Sequence, residues 1–229
     1  MKNHRRKRYH HGNLSGTLVA VGLEIVGQEG VAGLSLREVA KRSKVSPGAV
    51  YRHFPGKEAL LAAIAAEGFA ALNAAFDAAL AAVPPTRSVE RLRALGSAYI
   101  SLALEHNGLY RLMFGVGQTA HARESRLAEQ SARAYTTLEN AVAACCAPDA
   151  DAGAVTAATV AAWSLVHGYA MLRLDGQLAS LRSDGIPDAT GVLSSLIPAD
   201  VPSGAQHRRQ RRASPGTRQR RAEATLDDT

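Results

Sequence analysis

Ser46-Pro47 and Pro55-Gly56 bracket a stretch with room for only about two turns of helix, and these two boundaries constrain the fold more than any other feature of the chain. Ser46 is a good N-cap, and Pro47 suits the first helical position, where no backbone donor is needed. Val45 and Val50 take the N′ and N4 positions of a hydrophobic staple. The helix runs no further than Phe54, because proline pushes the residue before it out of helical conformation. Upstream, Leu14, Leu18, Val21 and Ile25 repeat along one helix face, and Gly30 lies just past its end, where a left-handed residue commonly closes a helix. A second helix starts at Ser35, with Glu38 three residues on, and buries Leu36, Val39 and Ala40. Three short helices with tight turns inside residues 13–54 predict a compact trihelical unit.

Helical periodicity continues to about residue 197 without a convincing strand, so the fold class is all-α. A long helix is predicted from Lys57 to about Ala82, with Leu60, Leu61, Ile64, Leu72, Phe76 and Leu80 inward, stopped by Pro84-Pro85. Further helices follow over roughly 87–106, 108–115, 121–146, 151–178 and 188–197. Asn107-Gly108 reads as a C-cap, Pro148 as a break and Asp184-Gly185-Ile186-Pro187 as a turn. Cys145 and Cys146 fall on the 121–146 helix, where neighbours point apart, so neither a disulfide nor a metal pair is expected. No run approaches the roughly 18 apolar residues of a membrane span. The basic start lacks the apolar segment of a signal peptide, so a cytoplasmic protein with no membrane partner is expected.

The net charge of +7 is unevenly spread. Lys2, Arg5, Arg6, Lys7 and Arg8 form a basic arm over residues 1–11. Seven arginines (Arg208, Arg209, Arg211, Arg212, Arg218, Arg220 and Arg221) crowd a Ser-, Gly- and Gln-rich tail over 199–229, which reads as disordered. Between residues 13 and 206 there remain 15 basic groups against 17 acids, so the body is slightly acidic and both ends are strongly basic. Such ends find phosphate, or act only as solvated tails.

Residues 35–54, SLREVAKRSKVSPGAVYRHF, read helix, short turn, helix. A helix-turn-helix sets the N-terminal residues of its second helix against base edges in the major groove. Gly48 and Ala49 are small enough to let that helix sit deep, and Ala49 suits a thymine methyl. Tyr51, Arg52 and His53 carry donors for phosphates or bases, and Lys57 suits a phosphate at the next helix start. The basic arm suits the adjacent minor groove. The same pattern also describes a helical hairpin in any all-α protein.

The run GLSLREVAKRSKVSPGAVYRHFPGKEALLAAI, with its Tyr51-x-His53-Phe54-x-x-Lys57-Glu58-x-Leu60 ending, resembles the DNA-binding domain of TetR/AcrR-type regulators. Tyr9-His10-His11-Gly12-Asn13-Leu14 is similar to the start of many members. His106-Asn107-Gly108-Leu109-Tyr110-Arg111-Leu112-Met113-Phe114 and Trp163-x-x-x-His167-Gly168 resemble the WHG-type ligand domain of that family. The likeness covers about residues 9–197. It implies a DNA-binding domain over 12–72 and an effector-binding and dimerisation domain over 73–198. It also implies a homodimer whose last two helices form a four-helix bundle with the partner. An unidentified small-molecule effector would change the spacing of the two DNA heads and release an inverted-repeat operator in double-stranded DNA. Ser35, Arg37, Ser46, Ala49, Tyr51, His53 and Lys57 fall where the family contacts DNA. The chain departs from the pattern at Lys44, where the family often has Gly, in a short last helix that includes Gly191, and in the Arg-rich tail.

Trp163 and His167 share a helix face, with Gly168 permitting close helix approach. They either line an effector cavity or serve core and dimer packing. Tyr99, Tyr110, Phe114, Tyr135 and Tyr169 either gather round such a cavity or build the core of a helical domain. His106 and His121 lack the carboxylate or Cys companions of a metal site, so no metal and no cofactor beyond the effector is expected. No nucleophile elbow, phosphate loop or paired carboxylates point to an enzyme. The rival readings are a helical enzyme with an N-terminal interaction module, and a nucleoid-type or RNA-binding protein held by its basic ends.

Overall fold

The computed structural model describes residues 13–115, 125–179 and 189–196, and every regular element among them is a helix. In chain order these are α1 (Leu14–Gly33), α2 (Leu36–Arg42), α3 (Pro47–His53), α4 (Lys57–Ala81), α5 (Ser88–Glu105), α6 (Asn107–Gly115), α7 (Ser125–Ala143), α8 (Ala152–Leu174) and α9 (Ala189–Leu196). The basic arm, His121 and the Arg-rich tail lie outside the described residues.

Local chemistry explains the starts. Asn13 caps α1 by accepting from the Gly16 amide at 3.0 Å, and Ser35 caps α2 by accepting from Glu38 N at 3.1 Å. The reciprocal half of the Ser35 capping box is not made, because the Glu38 carboxylate turns to Arg42 at 2.9 Å. That pairing holds the exposed Glu38 carboxyl below its usual range. Arg42 also pairs with Glu29, tying α2 to α1. α1 kinks at Gly30 (φ 70°, ψ −177°) and makes one more turn to Gly33. The left-handed-region residue expected there is therefore an internal break rather than the end of the helix.

The turn between α2 and α3 closes as a Schellman motif. Val45 N donates to Ala40 O at 3.0 Å and Lys44 N to Lys41 O at 3.2 Å. This geometry puts Lys44 at φ 55°, the only positive φ outside glycine among the described residues. The end of α8 uses the same motif with Gly176 (φ 70°) at the equivalent position, Gln177 N reaching Leu172 O and Gly176 N reaching Arg173 O. α8 thus stops at Leu174, short of the predicted 178.

Two other expectations give way. Asn107-Gly108 does not cap α5; His106 does, and Asn107 and Gly108 open α6. Gly108 is there for proximity, since a Cβ on it would strike the Val26 carbonyl of α1. Cys145 and Cys146 lie beyond the end of α7, in the turn before Pro148, where Cys145 and Cys146 amides reach back to Val142 O. Burial pushes the Cys145 thiol up, away from the reactive thiolate.

α4 is the spine. It packs on α1 near its start and on α5, α6 and α7 further along, within one continuous apolar core. Polar rungs fix its register against α7: Glu67 pairs with Arg126, Asp77 with Arg133 at 2.6 Å, and Asn73 with Gln130. Asn73 is only 1% exposed and donates through Nδ2 to both Gln130 O and Oε1 at 3.0 Å. The expectation that no segment approaches a membrane span is too strong, because α4 and α8 are both long and apolar enough. Most of that length in α4 is inside the fold, whereas most of it in α8 is not. The abundant alanines keep both helices apolar without making either a run of large side chains.

Candidate functional site

Two regions carry the functional residues. The first is the outer face of α2 and α3. Ser46 Oγ accepts from Ala49 N at 3.3 Å and Pro47 opens α3, as the sequence predicts. Val50 and Phe54 point inward, fully and almost fully buried. Ser35, Arg37, Ser46, Gly48, Tyr51, Arg52 and His53 are exposed, and Ala49 is half-buried. Tyr51, 51% exposed, is a large side chain with no role in the core. A Cβ on Gly48 would meet nothing within 4 Å, so this end of α3 is open for close approach. The face offers guanidinium, phenol and imidazole groups beside a small apolar surface. That combination can bind phosphate and base edges together.

Lys57 differs from the rest. It is half-buried, and its ammonium donates to the Val31 carbonyl at 3.0 Å. It therefore joins the start of α4 to the end of α1, and keeps two further donors.

The second region is a cavity of about 640 Å³ lined by α4, α5, α6, α7, α8 and α9. Tyr99, Phe114, Tyr135 and Trp163 line it, as do Phe69 and Phe76 of α4 and Met113 of α6. Tyr110 and His167, expected to line it, do not, and neither does Tyr169. Tyr110 is buried behind Tyr99 and Phe114, because its hydroxyl is drawn to His167.

These groups form a closed polar cluster behind the wall. The Tyr99 and Tyr110 hydroxyls lie 2.9 and 2.8 Å from His167 Nδ1 and 3.2 Å from each other. Trp163 Nε1 donates to the Tyr99 oxygen at 3.3 Å. A relay from Trp163 to Tyr99, Tyr110 and finally His167 Nδ1 uses the indole and both phenol donors when His167 is neutral with its proton on Nε2. Burial favours this state, pushing both tyrosine hydroxyls up and the His167 imidazole down. Phe114 sits among these rings, 4.8 Å from His167, 5.1 Å from Tyr110 and 5.6 Å from Phe69 between centroids.

Within a single copy Gly168 is not a close-contact glycine, since a Cβ there would meet nothing within 4 Å. Gly96 of α5 is one, its Cβ position lying 2.9 Å from Leu193 of α9. Phe69, Phe76 and Met113 were missed as cavity residues. Leu72 and Phe76 carry the inward periodicity of α4, but the same periodicity serves packed core and cavity wall alike.

A family model described as bacterial regulatory proteins, tetR family, matches residues 18–64, and one described as tetracyclin repressor-like, C-terminal domain, matches residues 92–190. An uncharacterized HTH-type transcriptional regulator, YobS, of Bacillus subtilis (strain 168) is 33% identical over 93 residues, 41% of this chain and 47% of that protein. The class G tetracycline repressor protein of Vibrio anguillarum is 45% identical over 49 residues, 21% of this chain and 23% of that protein. The chain thus spans about half or less of the length of these curated relatives. Among solved structures, a protein of unknown function from Rhodococcus sp. RHA1 matches with a TM-score of 0.68 and 32% identity, over 83% of this chain and 94% of that one. FadR of Bacillus subtilis, solved in complex with stearoyl-CoA, shares the fold at a TM-score of 0.61 and 14% identity, over 81% and 98% of the two chains. With its two halves matched in order by both family descriptions, the chain belongs to the tetR family of bacterial regulatory proteins.

Proposed function

We propose that this protein is a transcriptional repressor. In this reading a homodimer holds an inverted-repeat operator through α2 and α3, and lets go when a small effector fills the cavity. The observation that carries the reading is the pairing of an exposed, donor-rich α3 with a large cavity, both built on α4. Residues 12–72 form the DNA-reading part and 73–198 the effector and dimer part, with α4 running across the boundary. We read the second part as WHG-type from Trp163-x-x-x-His167-Gly168.

Several features support the mechanism. α6 reaches from Val26 of α1, against Gly108, to the cavity wall at Met113 and Phe114. A filled cavity pressing on Phe114 therefore moves an element seated on the DNA-reading part. α8 leaves Val160, Trp163 and Leu172 exposed in a single copy, a surface suited to a two-fold helical interface. A dimer covering an operator blocks polymerase without an activating contact, which favours repression. Work on the chromosome places the protein in the cytoplasm, and no chemistry on the effector is needed. The tetracycline repressor and FadR carry names that point to small-molecule response, in line with this assignment.

Selection of bound sequences from random duplex DNA at about physiological salt tests it. An enriched inverted repeat is the expected result. Salt-sensitive binding with no enriched sequence would instead favour a nucleoid-type protein held by its basic ends.

A further inference from the structure

Resting on the effector-responsive reading above, we infer that the cavity takes an uncharged, aromatic molecule whose one polar group hydrogen-bonds Tyr135.

The chain has only 4 Phe, 6 Tyr and 1 Trp. More than half of them, Phe69, Phe76, Tyr99, Phe114, Tyr135 and Trp163, line this one cavity. The rest of the core is built mainly from Leu, Ile, Val and Ala. Leu72, Leu92, Leu95, Leu138, Leu165 and Leu193 line the same cavity and would serve an alkyl chain as well as a ring. Aromatic walls on several sides add edge-to-face and offset-stacked contacts that only a ligand with ring faces returns.

The described lining offers a ligand no countercharge. Among the described residues, no Asp, Glu, Lys, Arg or His lines the cavity. A carboxylate or phosphate would lose its water with no cation to meet it. A quaternary ammonium would have the ring faces alone, and cation–π attraction falls well short of the desolvation of a full charge.

The Tyr99 oxygen already has contacts to Trp163, Tyr110 and His167, and the Trp163 N–H is spent on it. Ser131 Oγ donates to Ala128 O at 3.1 Å. Tyr135 and Thr136, both on α7, carry the lining hydroxyls with no hydrogen-bond partner among the described residues. Tyr135 has the longer reach and a ring of its own to stack, so it orients the polar end of the ligand. The opposite wall, with its hydroxyls satisfied, supplies flat apolar surface.

Calorimetric titration of the full chain tests this with five probes of one skeleton: phenanthrene, 9-phenanthrol, phenanthrene-9-carboxylate, (9-phenanthrylmethyl)trimethylammonium and perhydro-9-phenanthrol. The phenol is expected to bind about tenfold tighter than either ion and about fivefold tighter than the saturated alcohol. Tyr135→Phe is expected to weaken 9-phenanthrol about fivefold while leaving phenanthrene itself unchanged. The inference is overturned if no probe binds, if either ion or the saturated alcohol matches the phenol, or if Tyr135→Phe leaves 9-phenanthrol binding intact. Release of the selected inverted repeat is measured with the same probes. The expected ranking without DNA release keeps the ligand class and removes the effector role. A failed ranking on a chain that still selects its DNA removes the ligand class alone.

Discussion

Trp163 of α8 donates its indole N–H to the Tyr99 hydroxyl of α5 across 3.3 Å, so the cavity wall and the buried phenol–imidazole cluster share one hydrogen-bonded unit. Tyr99→Phe removes the acceptor of that bond and leaves Trp163 with an unpaired donor beside an apolar wall. Stability should fall by about 1–3 kcal/mol, read from the denaturant midpoint. Trp163 is the only tryptophan in the chain, so its emission should shift in the folded variant.

His167 gives the protein an acid-sensitive joint. Its folded pKa lies below the ordinary value near 6.5 through burial, whereas the unfolded chain protonates normally. The neutral imidazole therefore stabilises the fold fully above pH 6.5, and stability is lost as pH falls through and below that value. Protonation would also turn Nδ1 from acceptor to donor and force the Tyr99–Tyr110 relay to reverse. Between pH 7 and pH 5, wild type should lose more stability than His167→Gln, so the difference between them shrinks in acid. A constant difference across that range would contradict this role.

Lys44→Gly should raise stability by about 1 kcal/mol, because the Schellman turn needs positive φ and a Cβ there strains the backbone. Gly176 already meets the same demand at the end of α8, so Gly176→Ala should cost about as much as Lys44→Gly gains. Thermal unfolding of both variants checks the pair.

Gly108→Ala brings a methyl group onto the Val26 carbonyl and must push α6 away from α1. A loss of about 1–3 kcal/mol is expected in chemical denaturation. Gly27→Ala, on the exposed side of α1 with open space around it, serves as the control for a helical glycine without a neighbour.

Tyr51→Ala should leave stability within about 0.5 kcal/mol of wild type, because the side chain is outside the core. Affinity for the selected inverted repeat should fall by about tenfold or more, measured at fixed salt. Lys57→Met should lower both, since its ammonium holds the start of α4 to α1 through Val31 O and the family resemblance puts it among the DNA contacts.

Much of the DNA-reading part was legible along the chain because its signals are local. Ser46, Pro47 and Val50 act within one turn of each other, and the backbone hydrogen bonds they dictate form between near neighbours. The departure at Lys44, which sits at φ 55°, was legible only through the resemblance, because the family often has Gly there. Tyr99, Phe114, Tyr135 and Trp163 stood out as rare aromatics in an Ala- and Leu-rich chain, but along the chain cavity wall and packed core stayed open alternatives for them.

Depth was not legible. Phe69 and Phe76 repeat on α4 as core residues do, and only the packing of α5, α7 and α8 left space in front of them. Tyr110 and His167 carried the same polar-aromatic signature as Tyr99, yet their mutual hydrogen bond took both behind the wall. Gly108 and Gly168 looked alike as helical glycines, and contact with Val26 distinguished them. The sequence by itself determined the helices, their caps and breaks, and the face of α3 that meets solvent, because those follow from hydrogen bonds and periodicity within a few residues. Tertiary structure alone decided which inward side chains border empty space and which touch one another, because that depends on how helices far apart in sequence share one volume.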